Sequence, residues 1–359
     1  MRMKLKIILS ALLLTAITVL ASCGGGVEPP YGDSLPKTKT HYAYEYFDTA
    51  SIFASYLGDS DEAFRQNCSE LEAILEKYHK LFDIYYAYSG INNLRTVNSY
   101  AGKEPVTVDR ELIDFLLYAR EMYDLTGGEV NIMMGSVLSI WHRYREDAEG
   151  NPNPKIPTEA ELAEASLHTS IDALVIDETA STVYISDPKA SIDVGALGKG
   201  YAAELAAKHL ENKGVTSYVL NIGGNICTIG AKTDGTPWTT GITNPDKSSN
   251  ESFVMRIKLS NTSCVTSGDY ERYYVVGDEK YHHIIDKDTL MPAEFFSSIT
   301  VLTQDSALAD ALSTALFCMS YEDGLKLVNS LEGVEVLWVD RDYKVYMTDG
   351  FADLVINNE

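Results

Sequence analysis

Ser191-Ile192-Asp193-Val194-Gly195-Ala196-Leu197-Gly198-Lys199-Gly200-Tyr201 runs from the end of a strand through three glycines and a lysine into an alanine-rich helix. Glycine lets backbone N–H groups approach an anion closely, the new helix presents its positive end, and Lys199 adds a full charge. The stretch reads as a phosphate cradle or, more plainly, as a structural turn before a helix. Its spacing is G-x-x-G-x-G. A Walker A loop needs G-x-x-x-x-G-K-[ST] and a dinucleotide fingerprint needs G-x-G-x-x-G, so neither is present.

Working outward, residues Asp61 to Phe82 carry Phe64, Cys68, Leu71, Leu75, Tyr78 and Phe82 at the spacing of one helix face. Asp109 can cap a second helix, with Leu112, Ile113, Leu116, Leu117 and Tyr123 on its inner side until Gly127-Gly128 stops it. Thr158 with Glu161 forms a capping box that opens a third. Tyr42 to Ala54 reads as a strand, and from Ile171 onward strands dominate: Ala173–Ile176, Thr182–Ile185, Ser217–Ile222, Phe253–Leu259, Ser298–Thr303, Val334–Val339 and Tyr343–Met347. In Phe253-Val254-Met255-Arg256-Ile257-Lys258-Leu259 every odd position is apolar while Arg256 and Lys258 are charged, as a sheet with one wet face requires. The mixture predicts an α+β fold with mixed, mainly antiparallel sheets and packed helices, forming one domain over residues 41–359.

The chain has 359 residues, 45% of them apolar, which suffices for a sizeable core. Its 29 Lys plus Arg stand against 52 Asp plus Glu, a net charge of −23 that repels phosphate backbones and argues against nucleic acid as a partner. An acidic protein that handles an anion must neutralise it locally, with a metal ion, a lysine or backbone N–H groups. At the start, Arg2, Lys4 and Lys6 precede an apolar run from Ile7 to Leu20, which ends in Leu20-Ala21-Ser22-Cys23. This resembles a bacterial lipoprotein signal over residues 1–22. The resemblance implies a lipid on Cys23, a tether over residues 23–40 and a place on the extracytoplasmic face of the cell membrane. An uncleaved anchor is the other reading, but the run falls short of the roughly 20 residues needed to span a bilayer. The remaining cysteines, Cys68, Cys227, Cys264 and Cys318, form no C-x-x-C and sit among apolar or small residues. Buried thiols are expected, with one disulfide as the alternative.

Three further motifs bear on chemistry. Asn221-Ile222-Gly223-Gly224-Asn225 places two glycines at a strand end, which suits a tight turn. Thr266-Ser267-Gly268-Asp269-Tyr270-Glu271-Arg272 is followed by Tyr281-His282-His283-Ile284-Ile285-Asp286, and adjacent strand histidines face opposite ways, so at most one enters a given site. Leu308-Ala309-Asp310-Ala311-Leu312-Ser313-Thr314-Ala315-Leu316-Phe317 suits a helix on which Asp310, Ser313 and Thr314 share a face. Such hard oxygen donors suit magnesium. Asp310 as a helix cap, with Thr314 bonded to its own helix, is the alternative.

Taken in order, these segments resemble the ApbE family, the FAD:protein FMN transferases, whose sequences carry D-x-G-x-x-x-K-G, N-x-G-G, T-S-G-x-Y, H-I-I-D and a late A-D-A-x-S-T helix. Phe47-Asp48-Thr49, the stretch Tyr88 to Asn98, and Gly127-Gly128-Glu129-Val130-Asn131 also look like family segments, so the resemblance spans roughly residues 41–350. It implies a single T-fold-related domain. It further implies that Asp193 and Lys199 hold FAD, that Phe47, Tyr88, Glu129, Val130, Asn131 and Ile285 line the flavin nucleotide pocket, and that the Ala196 carbonyl, Asp310 and Thr314 bind Mg2+ with Ser313 close by. His283 would be the catalytic base, with Asp269 as the second candidate. The acceptor would be a threonine on an exported flavoprotein, such as a subunit of a membrane ion-pumping oxidoreductase. Three departures stand out: Asn131 where many members have Asp, Glu204 in place of a common Asp, and Asp286-Lys287-Asp288-Thr289-Leu290-Met291-Pro292 without the proline and glycine of D-P-x-T-G-x-P. An FAD pyrophosphatase and a flavin-binding lipoprotein without turnover are the rival readings.

Overall fold

The computed structural model describes residues 38–57 and 59–356. The signal segment, Cys23 and the tether up to residue 37 lie outside the described residues. In chain order the elements are β1 (Thr38–Ala43), β2 (Ser51–Tyr56), α1 (Asp61–Phe82), α2 (Leu94–Ser99), β3 (Val106–Thr107), α3 (Arg110–Leu125), α4 (Gly135–Ala148), α5 (Glu159–Ser166), β4 (Leu174–Asp177), β5 (Thr182–Ile185) and α6 (Gly198–Asn212). There follow β6 (Tyr218–Ile222), β7 (Asn225–Ile229), β8 (Trp238–Thr243), β9 (Phe253–Leu259), β10 (Ser263–Gly268), β11 (Tyr273–Val276), β12 (Glu279–His282), β13 (Phe296–Thr303), α7 (Ser306–Cys318), α8 (Tyr321–Val328), β14 (Glu335–Asp340), β15 (Val345–Met347) and α9 (Asp349–Ala352).

An eight-stranded sheet in the order β1-β2-β6-β7-β10-β13-β14-β15 forms the centre, and every pairing in it is antiparallel. Both its faces are covered. Side chains on a strand alternate between faces, and here they alternate between two cores. On β6, Leu220 and Ile222 join the helix-side core of α1, α3 and α6, whereas Val219 joins Trp238, Ile242, Ile257 and Leu259 of the β8–β9 ribbon on the opposite face. All eight residues of β13 are accordingly buried. The alanines of α6, Ala202, Ala203, Ala206 and Ala207, let it lie close to the sheet and to α7.

Helix α1 keeps the expected face buried, and Ser60 caps it by accepting the Ala63 amide at 3.1 Å. The capping box of α5 is formed in both directions. Asp109 stands at the N-cap of α3, but its side chain makes no capping hydrogen bond. Three boundaries differ from expectation. The run Tyr42 to Ala54 is not one strand: β1 and β2 fold back on each other with His41 opposite Phe53, because Phe47 and Asp48 take left-handed φ values of 55° and 50°. The domain also begins earlier than residue 41, since Thr38, Lys39 and Thr40, placed in the tether, pair with β2. Tyr343 lies in a turn at φ 62° ahead of β15 rather than in the strand. Cys68, Cys227, Cys264 and Cys318 are free and buried. Among the described residues no helix is long and apolar enough to cross a membrane.

Candidate active site

The glycine turn is held from below by Asn98, at the end of α2. Its carboxamide oxygen accepts the Ile192 amide at 2.7 Å and its nitrogen donates to the Ile192 carbonyl at 2.9 Å. Both polar groups of a fully buried residue are thus satisfied by one side chain. Asp193 then folds back to accept the Gly195 amide at 2.9 Å, and α6 begins at Gly198. Burial pushes the Asp193 carboxyl up, while the Gly195 bond and the charges of His142, Arg145 and Arg272 pull against that rise.

Helix α7 crosses α6 at this point. Gly200 donates its amide to Asp310 Oδ2 at 2.7 Å. Asp310 Oδ1 lies 3.8 Å from Lys199 Nζ. Thr314 stands one turn further along α7 and is partly exposed. The Ala196 carbonyl, just ahead of the α6 N-cap, and the Thr314 hydroxyl accept no hydrogen bond among the described residues. Ser313 is brought beside them, but its hydroxyl is fully buried and engaged with Ser267 Oγ at 2.8 Å and the Asp310 carbonyl at 3.0 Å. It braces Asp310 against β10. Glu204, in the next turn of α6, accepts the Ser306 amide at 2.7 Å and so fixes the start of α7.

Of the two histidines, His282 is structural: Nε2–H donates to the Ala293 carbonyl at 2.9 Å and Nδ1 accepts the Ile284 amide at 3.3 Å. His283 follows in the bend after β12, and its enclosed Nδ1 has no partner among the described residues. Burial, then Arg272, His282, Arg145 and Lys199, push its pKa down to about 3, so the imidazole is neutral. Asp269 is 2% exposed and held by Lys280 and Arg341, both at 2.8 Å. It pins the β11–β12 hairpin to the loop after β14, which is a structural task and not that of a free base.

The residues expected to line a nucleotide pocket fall into two groups. Phe47 donates its amide to His79 Nδ1 at 3.2 Å, and Tyr88 donates its hydroxyl to the buried Asp83 at 2.6 Å. Glu129 lies 3.3 Å from Lys287, with its carboxyl pushed up by burial, and Val130 is buried next to it. The Asn131 amide is engaged, donating to the Thr169 carbonyl at 2.9 Å and accepting the Met133 amide at 2.9 Å. Ile285 bridges Pro292 across the turn that lacks the family's glycine. Asp286 Oδ1 accepts the amides of Asp288 and Thr289 at 2.9 and 2.7 Å, and Leu290 takes φ 59° where the family pattern has glycine. The turn is closed with a leucine in a left-handed conformation.

Sequence reasoning missed helix α4. It supplies His142 and Arg145, joined through a 2.7 Å hydrogen bond from Arg145 to His142 Nδ1, with the Tyr85 ring 5.5 Å from the imidazole. The signal was available in Val137, Trp141 and Tyr144 at helical spacing. Among the described residues neither Arg145 nor Arg272 forms an ion pair with a carboxylate. An acidic protein thus gathers Lys199, Arg145, Arg272 and His142 around one glycine turn, where they act on Asp193 and His283. Such a neighbourhood suits a polyanion. Among the described residues no three His, Cys, Asp or Glu form a metal cluster. A cation beside Asp310 must draw its other ligands from a backbone carbonyl, a hydroxyl, water and the phosphates of a bound molecule, which is the donor set magnesium prefers.

Comparison with known proteins identifies the family. The model of the ApbE family matches residues 40–338. The FAD:protein FMN transferase of Vibrio cholerae (strain O395) is 27% identical over 341 residues, covering 94% of this chain and 96% of the relative. That of Treponema pallidum (strain Nichols) is 29% identical over 304 residues, covering 81% and 83%. The crystal structure of the ApbE protein of Thermotoga maritima superposes with a TM-score of 0.77 at 26% identity, over 89% of this chain and 100% of that one.

Proposed function

The chain belongs to the ApbE family, and from that premise we propose that it moves FMN from FAD onto a threonine hydroxyl of an acceptor protein with the help of Mg2+. The coarse reaction, FMN transfer from FAD to a protein, is the activity its curated relatives are named for. The observation that supports the finer reading is the crossing of α6 and α7, where Asp310 accepts the Gly200 amide and lies 3.8 Å from Lys199, with the unbonded Ala196 carbonyl at the start of the same turn and Thr314 four residues further along α7. Asp310, the Ala196 carbonyl and Thr314 would hold a magnesium ion there, which would supply positive charge to the diphosphate.

The chain's own residues do the rest. The Gly195–Gly200 turn and Lys199 bind the diphosphate and orient it for in-line attack. The acceptor oxygen forms a bond to the FMN phosphorus, the bond from that phosphorus to the AMP oxygen breaks, and AMP leaves. His283, neutral and with an unpartnered nitrogen, takes the proton of the acceptor hydroxyl. The cations that hold its pKa down in part are those the diphosphate neutralises, so FAD binding raises its basicity. Asp269, held by two cations, is a support for the hairpin in this scheme. The lipobox ending in Cys23 supports anchoring at the outer face of the cell membrane, beside an exported flavoprotein such as a subunit of an ion-pumping oxidoreductase.

The test is incubation with FAD and Mg2+, with and without an acceptor domain, followed by in-gel flavin fluorescence and intact mass. An FMN adduct on the acceptor that disappears in Asp310→Asn supports the reading. Release of FMN and AMP without an adduct identifies a pyrophosphatase, and uncleaved FAD identifies a binder; either overturns it.

A further inference from the structure

The hairpin turn that carries Phe47 is strained, since L residues are disfavoured in the left-handed region. Both Phe47 and Asp48 adopt it, at φ 55° and 50°. What holds the turn is His79, three residues from the end of α1. The Phe47 amide donates to its Nδ1 at 3.2 Å, and the Phe47 and Tyr46 rings meet the imidazole edge-on at 5.7 and 6.4 Å. The other nitrogen, Nε2, lies 3.4 Å from Tyr88 Oη, which in turn reaches Asp83 Oδ2 at 2.6 Å. A backbone amide can only donate and a carboxylate can only accept, so the direction of every bond is fixed. Nδ1 is bare, Nε2–H points at Tyr88, and the Tyr88 proton is committed to Asp83. One neutral imidazole ties together two residues from separate loops.

We propose that His79 is a positioning residue for the dinucleotide: it sets the separation of Phe47 and Tyr88, and does so only in the tautomer with Nδ1 unprotonated. The proposal rests on the reading that Phe47 and Tyr88 line the FAD site. His79 itself touches neither substrate nor reacting atoms.

The experiment measures KM for FAD and kcat of flavinylation in the wild-type protein, His79→Leu, His79→Asn, Phe47→Ala and Tyr88→Phe, with thermal melting as the check on folding. His79→Leu is expected to raise KM about tenfold and leave kcat within about twofold, the size of effect one lost hydrogen-bonded anchor produces. Asparagine sets an amide oxygen near the place of Nδ1, so His79→Asn recovers most of the affinity. A folded His79→Asn variant whose KM for FAD rises as far as the tenfold expected for His79→Leu overturns the proposal, even if His79→Leu fails to fold. A His79→Leu variant that loses kcat but not affinity overturns it as well. Should Phe47→Ala and Tyr88→Phe leave KM unchanged, the wall assignment fails and takes the proposal with it, whereas the transferase reading is judged separately by the flavin adduct.

Discussion

Asp310 and Gly200 meet where α6 and α7 cross: the Gly200 amide donates to Asp310 Oδ2 at 2.7 Å, and a Cβ on Gly200 would stand 2.3 Å from the Asp310 Cβ and 2.6 Å from the Ser306 carbonyl oxygen. The close approach that only glycine permits is what brings the carboxylate of one helix to the anion-binding end of the other.

Gly200→Ala should therefore be more damaging than an alanine in a helix normally is. The two helices must part, at a cost of about 1–3 kcal/mol or more, and the carboxylate shifts from the turn. A fall in melting temperature together with at least about a hundredfold loss of flavinylation is expected. A variant with normal melting and normal activity would show that the crossing is looser than this contact implies.

Asn98→Ala removes the clamp on Ile192 and leaves a buried N–H and C=O without partners. Each unsatisfied group costs about 1–3 kcal/mol. Denaturant titration should show that loss, and the KM for FAD should rise because Asp193 follows Ile192 directly. Unchanged stability would mean that water replaces the carboxamide.

Asp269→Asn separates support from catalysis. Losing the charge that holds Lys280 and Arg341 should destabilise the protein by about 1–3 kcal/mol, since both cations remain partly solvated. Activity per folded molecule should stay within about tenfold of wild type. A loss of about a hundredfold or more without change in melting would reinstate Asp269 as the base.

Acid sensitivity follows from the two histidines. Burial is the first cause in both, pushing His282 down to about 4 and His283 down to about 3. In the unfolded chain each titrates near 6.5. Below that value the unfolded state binds protons that the folded state refuses, so this stability is whole above about pH 6.5 and is lost as pH falls towards about 4. The raised carboxyls of Glu129, Asp193 and Glu204 act in the opposite sense. Comparing His282→Asn with wild type isolates one histidine: the loss of stability between about pH 7 and about pH 5 should be smaller in the variant. Equal losses would show that His282 titrates normally.

Helix α1, the capping box of α5 and the alternation on β9 could be read because their signals are local: a periodic face, two side chains three residues apart, a period of two. The β1–β2 hairpin could not, because its turn, Glu45-Tyr46-Phe47-Asp48-Thr49, contains no Gly, Pro or Asn. The left-handed turn there is held by His79, a residue from a later helix. The same distinction runs through the site. Motif wording singled out Asp193, Lys199, Asp310 and His283. It did not reveal that Ser313 and Asn131 are engaged in hydrogen bonds, that Asp269 is locked between two cations, or that α4 contributes Arg145.

The amino-acid order alone settled where the glycine turn and the apolar faces lie, because helix starts, strand alternation and glycine spacing depend on neighbours a few residues apart. The folded chain decided which polar groups remain free. Whether a carboxylate, hydroxyl or imidazole has a partner depends on distant residues that meet only after folding, as Lys280 and Arg341 meet Asp269, Ser267 meets Ser313 and Gly200 meets Asp310.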